Sequence, residues 1–134
     1  MVIEFYEKPG CAGNARQKAK LSSLGCMLSV KSLLGSTWNK KELREYFADK
    51  PVSAWFNMSA PKIKDGLIDV NTLSENEALE MMVKEPLLIK RPLMKCGNVK
   101  ISGFEPSEIR ERLGLNVEEA PPTCQPGDSC HQVL

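Results

Sequence analysis

The alternation of apolar and polar residues at the start of the chain predicts a strand, a helix and a second strand. Residues Val2 to Tyr6 are rich in β-forming side chains and stop shortly before a Pro-Gly pair, which is typical of a strand leading into a turn. Small apolar residues then recur at helical spacing from Ala12 to Leu24, and a glycine follows. Cys26 to Leu34 is the second strand candidate. A β-α-β unit of this kind places its two strands parallel.

The middle of the chain predicts a helical insertion. Lys40 to Ala48 carries apolar residues on one face and therefore predicts a helix. Glu75 to Lys84 predicts another, because Ser74 and Glu77 before and within its first turn have the form of a capping box. Between these helices, Lys62 to Val70 is predicted to be a loop or a short turn.

The last third predicts a β-hairpin and a final helix. Leu93 to Lys95 and Val99 to Ile101 flank a short turn that contains glycine and asparagine. Pro92 cannot lie within a central strand, so it marks the loop that enters the hairpin. Pro106 to Leu113 has proline in its first turn and Gly114 after its end, a pattern typical of helices.

This order of elements predicts the fold class and the domain organisation. A β-α-β unit, a helical insertion, a β-hairpin and a helix form the α/β layout of a thioredoxin-like fold, a four-stranded mixed sheet with helices on both faces. We expect one domain over residues 1–115. Residues 116–134 contain three prolines and no periodicity, which predicts a disordered tail.

Charge and hydropathy exclude several classes of function. A net charge of +1 gives no electrostatic argument for binding nucleic acid or an anionic membrane. No apolar run reaches the roughly 20 residues of a membrane span, and the start of the chain does not resemble a signal peptide. We therefore expect a cytoplasmic protein, monomeric and without a membrane segment.

The cysteines are the candidate reactive groups. Their number is odd and their spacing irregular, which predicts reduced thiols rather than a disulfide framework; they are Cys11, Cys26, Cys96, Cys124 and Cys130. Cys11 is the strongest candidate because it follows a Pro-Gly turn and opens the first predicted helix. Backbone N–H groups and the positive end of the helix dipole converge there. They stabilise a thiolate and could hold an anionic substrate beside it.

A thiolate that acts in redox chemistry needs a second thiol to complete turnover. Cys96, the tail cysteines Cys124 and Cys130, and an external thiol such as glutathione or glutaredoxin remain alternatives for that role. The tail cysteines and His131 fit no familiar zinc spacing, and no other histidine exists, so we predict no metal site and no bound cofactor.

Three segments, in this order, resemble the arsenate reductase family, ArsC and its Spx relatives. They are Tyr6-x-x-Pro9-x-Cys11, Leu88-Ile89-Lys90-Arg91-Pro92 and Glu105-Pro106-Ser107-Glu108. The resemblance covers about residues 2–115, and the run from Pro9 to Gln17 is similar to the subgroup called nitrogenase-associated proteins. It implies a cis Arg91-Pro92 peptide bond that faces the cysteine loop.

The chain departs from the family at positions that bind the oxyanion. The family has arginine four residues after the cysteine, where this chain has Ala15; its arginine is Arg16, rotated by about 100° on a helix. The family's arginine in the helical insertion aligns with Asn57, and a third arginine has no clear match around Val99 to Phe104. Arg91 alone is plainly retained. Because a divalent oxyanion needs several guanidinium groups, these departures argue against efficient arsenate reduction.

The predicted site is therefore a thiol redox site. Cys11 is its nucleophile and Arg91 stabilises the anion, while Asn14, Arg16 and Pro92 line the binding site for an anion or a thiol. The resemblance implies a link to nitrogen fixation and a partner that is glutathione, glutaredoxin or a nitrogenase-related protein. Two alternatives remain: a glutaredoxin-dependent arsenate reductase, and a regulatory module that docks a protein, as Spx relatives do with RNA polymerase.

Overall fold

Residues 1–117 are described by a computed structural model built around a four-stranded mixed sheet. The strands lie in the order β2-β1-β3-β4, and they are β1 (Val2–Glu7), β2 (Met27–Ser32), β3 (Leu93–Cys96) and β4 (Val99–Ser102). β1 runs parallel to β2 and antiparallel to β3, and β3 runs antiparallel to β4. This topology confirms the predicted thioredoxin-like fold.

The helices divide between connections of the sheet and an insertion. α1 (Ala12–Ser23) connects β1 to β2, and α5 (Pro106–Leu113) follows β4. The insertion between β2 and β3 holds α2 (Lys40–Glu45), α3 (Pro61–Lys64) and α4 (Glu75–Lys84). Single 3-10 turns complete the insertion at Val52–Ala54 and Pro86–Leu88.

The helix ends follow the predicted capping chemistry at α4 and α5. The Ser74 hydroxyl accepts a hydrogen bond from the Glu77 N–H at 3.1 Å, and the Glu77 carboxylate accepts one from the Ser74 N–H at 2.9 Å. Gly114 ends α5 with φ of 71°, a left-handed conformation that glycine adopts without a Cβ clash. The capping box and the C-terminal glycine are thus confirmed.

The insertion differs from the prediction in two places. α2 ends at Glu45 and not at Ala48, because Ala48 has φ of 48° and its carbonyl accepts a hydrogen bond from the Arg44 side chain. Pro61–Lys64 forms a helical turn where a loop or short turn is predicted from Lys62 onward. Proline at the first helical position is already in the required conformation, which explains this turn.

Both faces of the sheet are covered, so two apolar clusters form. On one face, Tyr6 and Leu93 pack against aromatic side chains of the insertion: Trp38, Tyr46, Phe47, Trp55 and Phe56. On the other face, Ile3 and Phe5 pack against Leu21 of α1 and Ile109 of α5. The prediction of helices on both faces is therefore confirmed.

The packed domain extends slightly beyond the predicted boundary at residue 115. Val117 is fully buried in the second cluster, so the start of the predicted tail belongs to the core. The rest of that tail, residues 118–134, lies outside the described residues. Within residues 1–117, no helix has both the length and the apolar character required to cross a bilayer.

Candidate functional site

Cys11 occupies the N-cap position of α1, as predicted. Its backbone is extended (φ −76°, ψ 116°), and its sulfur accepts a hydrogen bond from the Asn14 N–H at 3.4 Å. The residue is buried, with 4% of its surface exposed. A sulfur in this position lies beside the free N–H groups and the partial positive charge of the helix N-terminus.

A tight turn brings the chain from β1 to Cys11. The Cys11 N–H donates a hydrogen bond to the Lys8 carbonyl at 3.0 Å, which closes a four-residue turn around Pro9 and Gly10. Gly10 has φ of 82°, the value that the third position of a type II turn requires. The Pro-Gly pair therefore determines how Cys11 enters the helix.

The side chain of Asn14 connects this turn to α1. It is fully buried; its oxygen accepts a hydrogen bond from the Lys8 N–H at 3.0 Å, and its nitrogen donates one to the buried Gln17 at 3.0 Å. Asn14 is predicted from the sequence to bind an anion through its side chain. In the structure that side chain holds the turn, and the contact with the sulfur comes from the main chain.

The Arg91-Pro92 peptide bond is cis, as the family resemblance implies. Leu93 pairs with Tyr6 in the antiparallel ladder of β1 and β3, so the residues just before Leu93 lie beside those just after β1. This register places the Arg91-Pro92 segment next to the Lys8–Cys11 turn, which is the predicted juxtaposition. Arg91 is 3% exposed and provides a buried positive charge at this end of the sheet.

Ala15 and Arg16, which follow Asn14 on α1, differ in their exposure to solvent. Ala15, which stands where the family has arginine, is exposed, whereas Arg16 is half-buried on the following position. Arg16 therefore remains near the site as a second cation from the helix. Its contribution to anion binding stays a prediction.

Asn57 stands where the family has an arginine in the insertion, and its amide has a structural role. The nitrogen donates to the Leu87 carbonyl at 3.4 Å, and the oxygen accepts from the Ser59 N–H at 3.1 Å. These bonds connect the insertion to the segment that leads into Arg91. Asn57 therefore contributes no positive charge to a substrate.

Lys50 supplies a cation near the end of β4, and the sequence carries no local signal for it. Its ammonium group donates to the Ser102 carbonyl at 2.7 Å and forms an ion pair with Glu108 at 2.8 Å. This pair lies where no family arginine could be matched. Because Glu108 neutralises it, Lys50 does not replace the missing guanidinium group.

A groove of about 740 Å³ opens beside Arg91, and Cys11 is not among the residues that line it. Its wall includes the apolar side chains of Phe56 and Phe104, a second cation at Lys90, and the carboxylates of Glu105 and Glu111. Neither of these two carboxylates forms an ion pair within residues 1–117. The groove thus presents both signs of charge, unlike a pocket built for a divalent oxyanion.

The structure separates Cys96 from Cys11. Cys96 follows Lys95, which pairs with Glu4, so Cys96 lies level with the first residues of β1. Cys11 lies beyond the other end of that strand. At about 3.3 Å per residue, the four steps from Ile3 to Glu7 alone span about 13 Å. Cys96 therefore cannot resolve a disulfide on Cys11 in this conformation.

The remaining cysteines offer no nearby partner among the described residues. Cys26 is buried in the second apolar cluster, and burial raises the pKa of its thiol. Cys124 and Cys130 lie outside the described residues. Within residues 1–117, no three of the His, Cys, Asp and Glu side chains are grouped so that they could hold a metal ion.

Comparison with known proteins agrees with this geometry. The sequence profile of the ArsC family matches residues 6–112. A relative from Rhodospirillum rubrum, named "Uncharacterized 15.7 kDa protein in draG 3'region", is 42% identical over 126 residues, which cover 94% of this chain and 84% of the relative.

Solved structures show the same fold. A putative ArsC family related protein from Bacteroides fragilis superimposes with a TM-score of 0.71 at 23% identity, over 83% of this chain and 98% of its own. An arsenate reductase from Vibrio cholerae gives a TM-score of 0.68 at 24% identity, over 83% of this chain and 97% of its own. At identities this low, the structural similarity establishes the fold of this chain and does not establish its activity.

Proposed function

This chain belongs to the ArsC family, and we propose that it is a thiol redox protein in which Cys11 forms a mixed disulfide with a thiol partner. The observation that carries the proposal is the position of the Cys11 sulfur at the N-terminus of α1, where the Asn14 N–H donates to it. Thiolates at helix N-termini are the reactive form in disulfide exchange.

The exchange proceeds in two balanced steps. The Cys11 thiolate attacks one sulfur of a disulfide, the new S–S bond forms, and the other sulfur leaves as a thiolate that takes up a proton. A second thiol, from glutathione or glutaredoxin, then attacks the mixed disulfide and releases Cys11 as a thiolate. Arg91 stabilises negative charge near this sulfur, and the Arg91-Pro92 segment shapes the edge where the partner docks.

The partner that we propose is glutathione, glutaredoxin or a nitrogenase-related protein. Support for the last comes from the run Pro9 to Gln17, which resembles nitrogenase-associated proteins, and from a 42% identical relative that is named for its place beside draG. A reducing compartment such as the cytoplasm supplies the thiols that the cycle consumes.

A second candidate function is arsenate reduction, and the retained Arg91 beside Cys11 favours it. The neutral Asn57 and the Lys50–Glu108 ion pair count against it, because neither leaves a free guanidinium group for the oxyanion. We therefore rank thiol exchange first.

The test is glutathionylation followed by arsenate turnover. The protein is incubated with glutathione disulfide, and mass spectrometry identifies the modified cysteine. We expect one adduct on Cys11, its loss in Cys11→Ser, and its retention in Cys26→Ser as a matched control. An unmodified Cys11 contradicts the proposal.

Two further measurements separate the alternatives. Arsenate turnover with glutathione and glutaredoxin that disappears in Cys11→Ser establishes the reductase instead. Capture of the nitrogenase-related partner by Cys11→Ala as efficiently as by the unmodified protein supports a docking module of the Spx kind.

A further inference from the structure

The two outer strands of the sheet, β2 and β4, differ in how their free edges are covered. On β4, the Arg112 guanidinium donates to the Lys100 carbonyl at 2.7 Å, and the Lys50 ammonium donates to the Ser102 carbonyl at 2.7 Å. These side chains bond the carbonyls that another strand would otherwise use for pairing. The edge of β4 is therefore closed to a further strand.

The edge of β2 is open within residues 1–117. Met27 and Leu33 donate their N–H groups to carbonyls at the two ends of β1. Because successive residues of a strand direct their backbone groups to opposite edges, those of Leu28 and Val30 point away from β1. No described side chain or loop forms a hydrogen bond to these outward groups.

Exposed apolar side chains are concentrated at this open edge. Seven large apolar side chains are exposed among the described residues, and five of them lie on β2 or beside its start: Met1, Val2, Leu24, Met27 and Val30. An open strand edge flanked by apolar side chains attracts another strand, because pairing satisfies the backbone groups and buries the apolar surface.

We propose that β2 pairs with β2 of a second copy of this chain, antiparallel about a two-fold axis at Ser29. In this register Leu28 exchanges backbone hydrogen bonds with Val30 of the second copy, and Val30 exchanges them with its Leu28. The outward groups of β2 are thereby satisfied. The inference goes beyond the proposed function and does not rest on it.

The side chains of β2 are compatible with pairing to their own copy. Leu28 and Val30 lie on the same face of the strand, so the two cross-strand pairs on that face are apolar. On the other face, Lys31 lies opposite Met27 of the second copy and not opposite another lysine. Its charge is also paired with Glu4 at 2.6 Å, so no like charges oppose each other.

The neighbouring registers are less favourable. An axis at Val30 would pair Leu28 with Ser32, a polar residue whose carbonyl already accepts a hydrogen bond from the Ser36 hydroxyl. An axis at Leu28 would pair Val30 with Cys26, which lies outside β2 and whose N–H donates to Leu21. The axis at Ser29 uses the two residues whose outward groups are open.

A second copy suits this edge better than a flexible peptide. The open groups belong to only two residues, and a flexible peptide would lose conformational entropy to form so few hydrogen bonds, whereas β2 is already ordered. The small contact predicts a reversible dimer that forms at micromolar to millimolar concentration. It departs from the monomer expected from the sequence, because the open edge is visible only in the tertiary structure.

The first test is disulfide trapping at the axis. Ser29 is exposed and would lie opposite its own copy in a non-hydrogen-bonded pair, with a Cα separation of about 4.5 Å that allows a disulfide. Ser29→Cys is oxidised with glutathione disulfide, and mass spectrometry identifies the linked peptides. Because pairing raises the effective concentration of the two thiols, the 29–29 link should form at least about tenfold faster than the 107–107 link of Ser107→Cys, an exposed control on α5.

The second test is sedimentation velocity of the full, reduced chain up to about 1 mM. The sedimentation coefficient should rise with concentration, and Val30→Lys should weaken the association at least about tenfold, because it places a charge in the apolar pair. Leu67→Lys is the matched control, since it replaces an apolar side chain that is 75% exposed in the insertion and should leave association unchanged. Ser29→Lys, which sets two ammonium groups face to face at the axis, repeats the measurement if Val30→Lys does not fold.

Three outcomes overturn the proposal. One is a protein that stays monomeric at about 1 mM. Another is a folded Val30→Lys or Ser29→Lys that associates as strongly as Leu67→Lys. The last is a Ser29→Cys thiol that links to Cys124 or Cys130 of the same chain in place of a second residue 29, because the segment after residue 117 then occupies the edge.

Discussion

Replacing Asn14 with alanine tests whether its side chain is structural. The change removes two buried hydrogen bonds, one to the Lys8 N–H and one to Gln17. The Lys8 N–H loses its acceptor inside the protein. Each buried polar group that loses its partner costs about 1–3 kcal/mol, so Asn14→Ala, which affects two such groups, should lower the free energy of unfolding by about 2–6 kcal/mol. Against a typical total of about 5–15 kcal/mol, that loss leaves a folded but clearly weakened protein.

Urea denaturation measures this loss directly. Trp38 and Trp55 are both buried in the cluster that contains Tyr6, so their fluorescence reports unfolding of the core. Asn98→Ala, in the exposed turn of the β-hairpin, is the matched control and should change stability by less than about 0.5 kcal/mol.

The rate of Cys11 alkylation distinguishes the two roles of Asn14. The N–H that contacts the sulfur is a main-chain group, so the alkylation rate of Asn14→Ala should stay within about threefold of the original. A stability loss below about 0.5 kcal/mol combined with a large loss of alkylation would refute the structural role and restore the anion-binding role.

Three other changes have expected outcomes. Ser74→Ala removes the capping box of α4 and should cost about 1 kcal/mol in urea denaturation, whereas Ser29→Ala, exposed on β2, should cost almost nothing. The hydrogen bond from Lys31 lowers the pKa of Glu4, so this pair stabilises the fold above pH 4.5 and loses that effect as the pH falls through the lowered pKa; Lys31→Met should raise the pKa of Glu4 toward 4.5 in an NMR titration. Burial raises the pKa of the Cys26 thiol, so at pH 8 its alkylation should be slower than that of free cysteine, and urea should abolish the difference.

Local patterns were sufficient to predict most of the elements. The Pro-Gly pair before Cys11, the capping residues Ser74 and Glu77, and the glycine after α5 each act within a few residues of sequence. Local hydrogen bonds and backbone preferences determine such features, so the sequence pattern contains them. The order of these elements then leads to the sheet topology through the preference for parallel β-α-β units.

The features that the sequence did not predict depend on distant contacts. Lys50 contacts Ser102 and Glu108, which lie more than 50 residues away in the sequence, and no pattern near Lys50 predicts these contacts. The side-chain amide of Asn14 is a group that can bind an anion. In the structure, however, it is buried and hydrogen-bonded to the Lys8 N–H and to Gln17. These roles emerge only when tertiary packing decides which polar groups lose contact with water.

The distribution of charge near Arg91 bears on the proposed choice between a thiol and an oxyanion. Arg91 provides a buried positive charge at the end of the sheet where the Cys11 turn lies. Along the groove, the cation of Lys90 is accompanied by the carboxylates of Glu105 and Glu111. Those carboxylates repel a divalent oxyanion, whereas a peptidic thiol carries an ammonium group that they attract and a carboxylate that Lys90 attracts. The charges beside Arg91 therefore support the proposed thiol partner over an oxyanion.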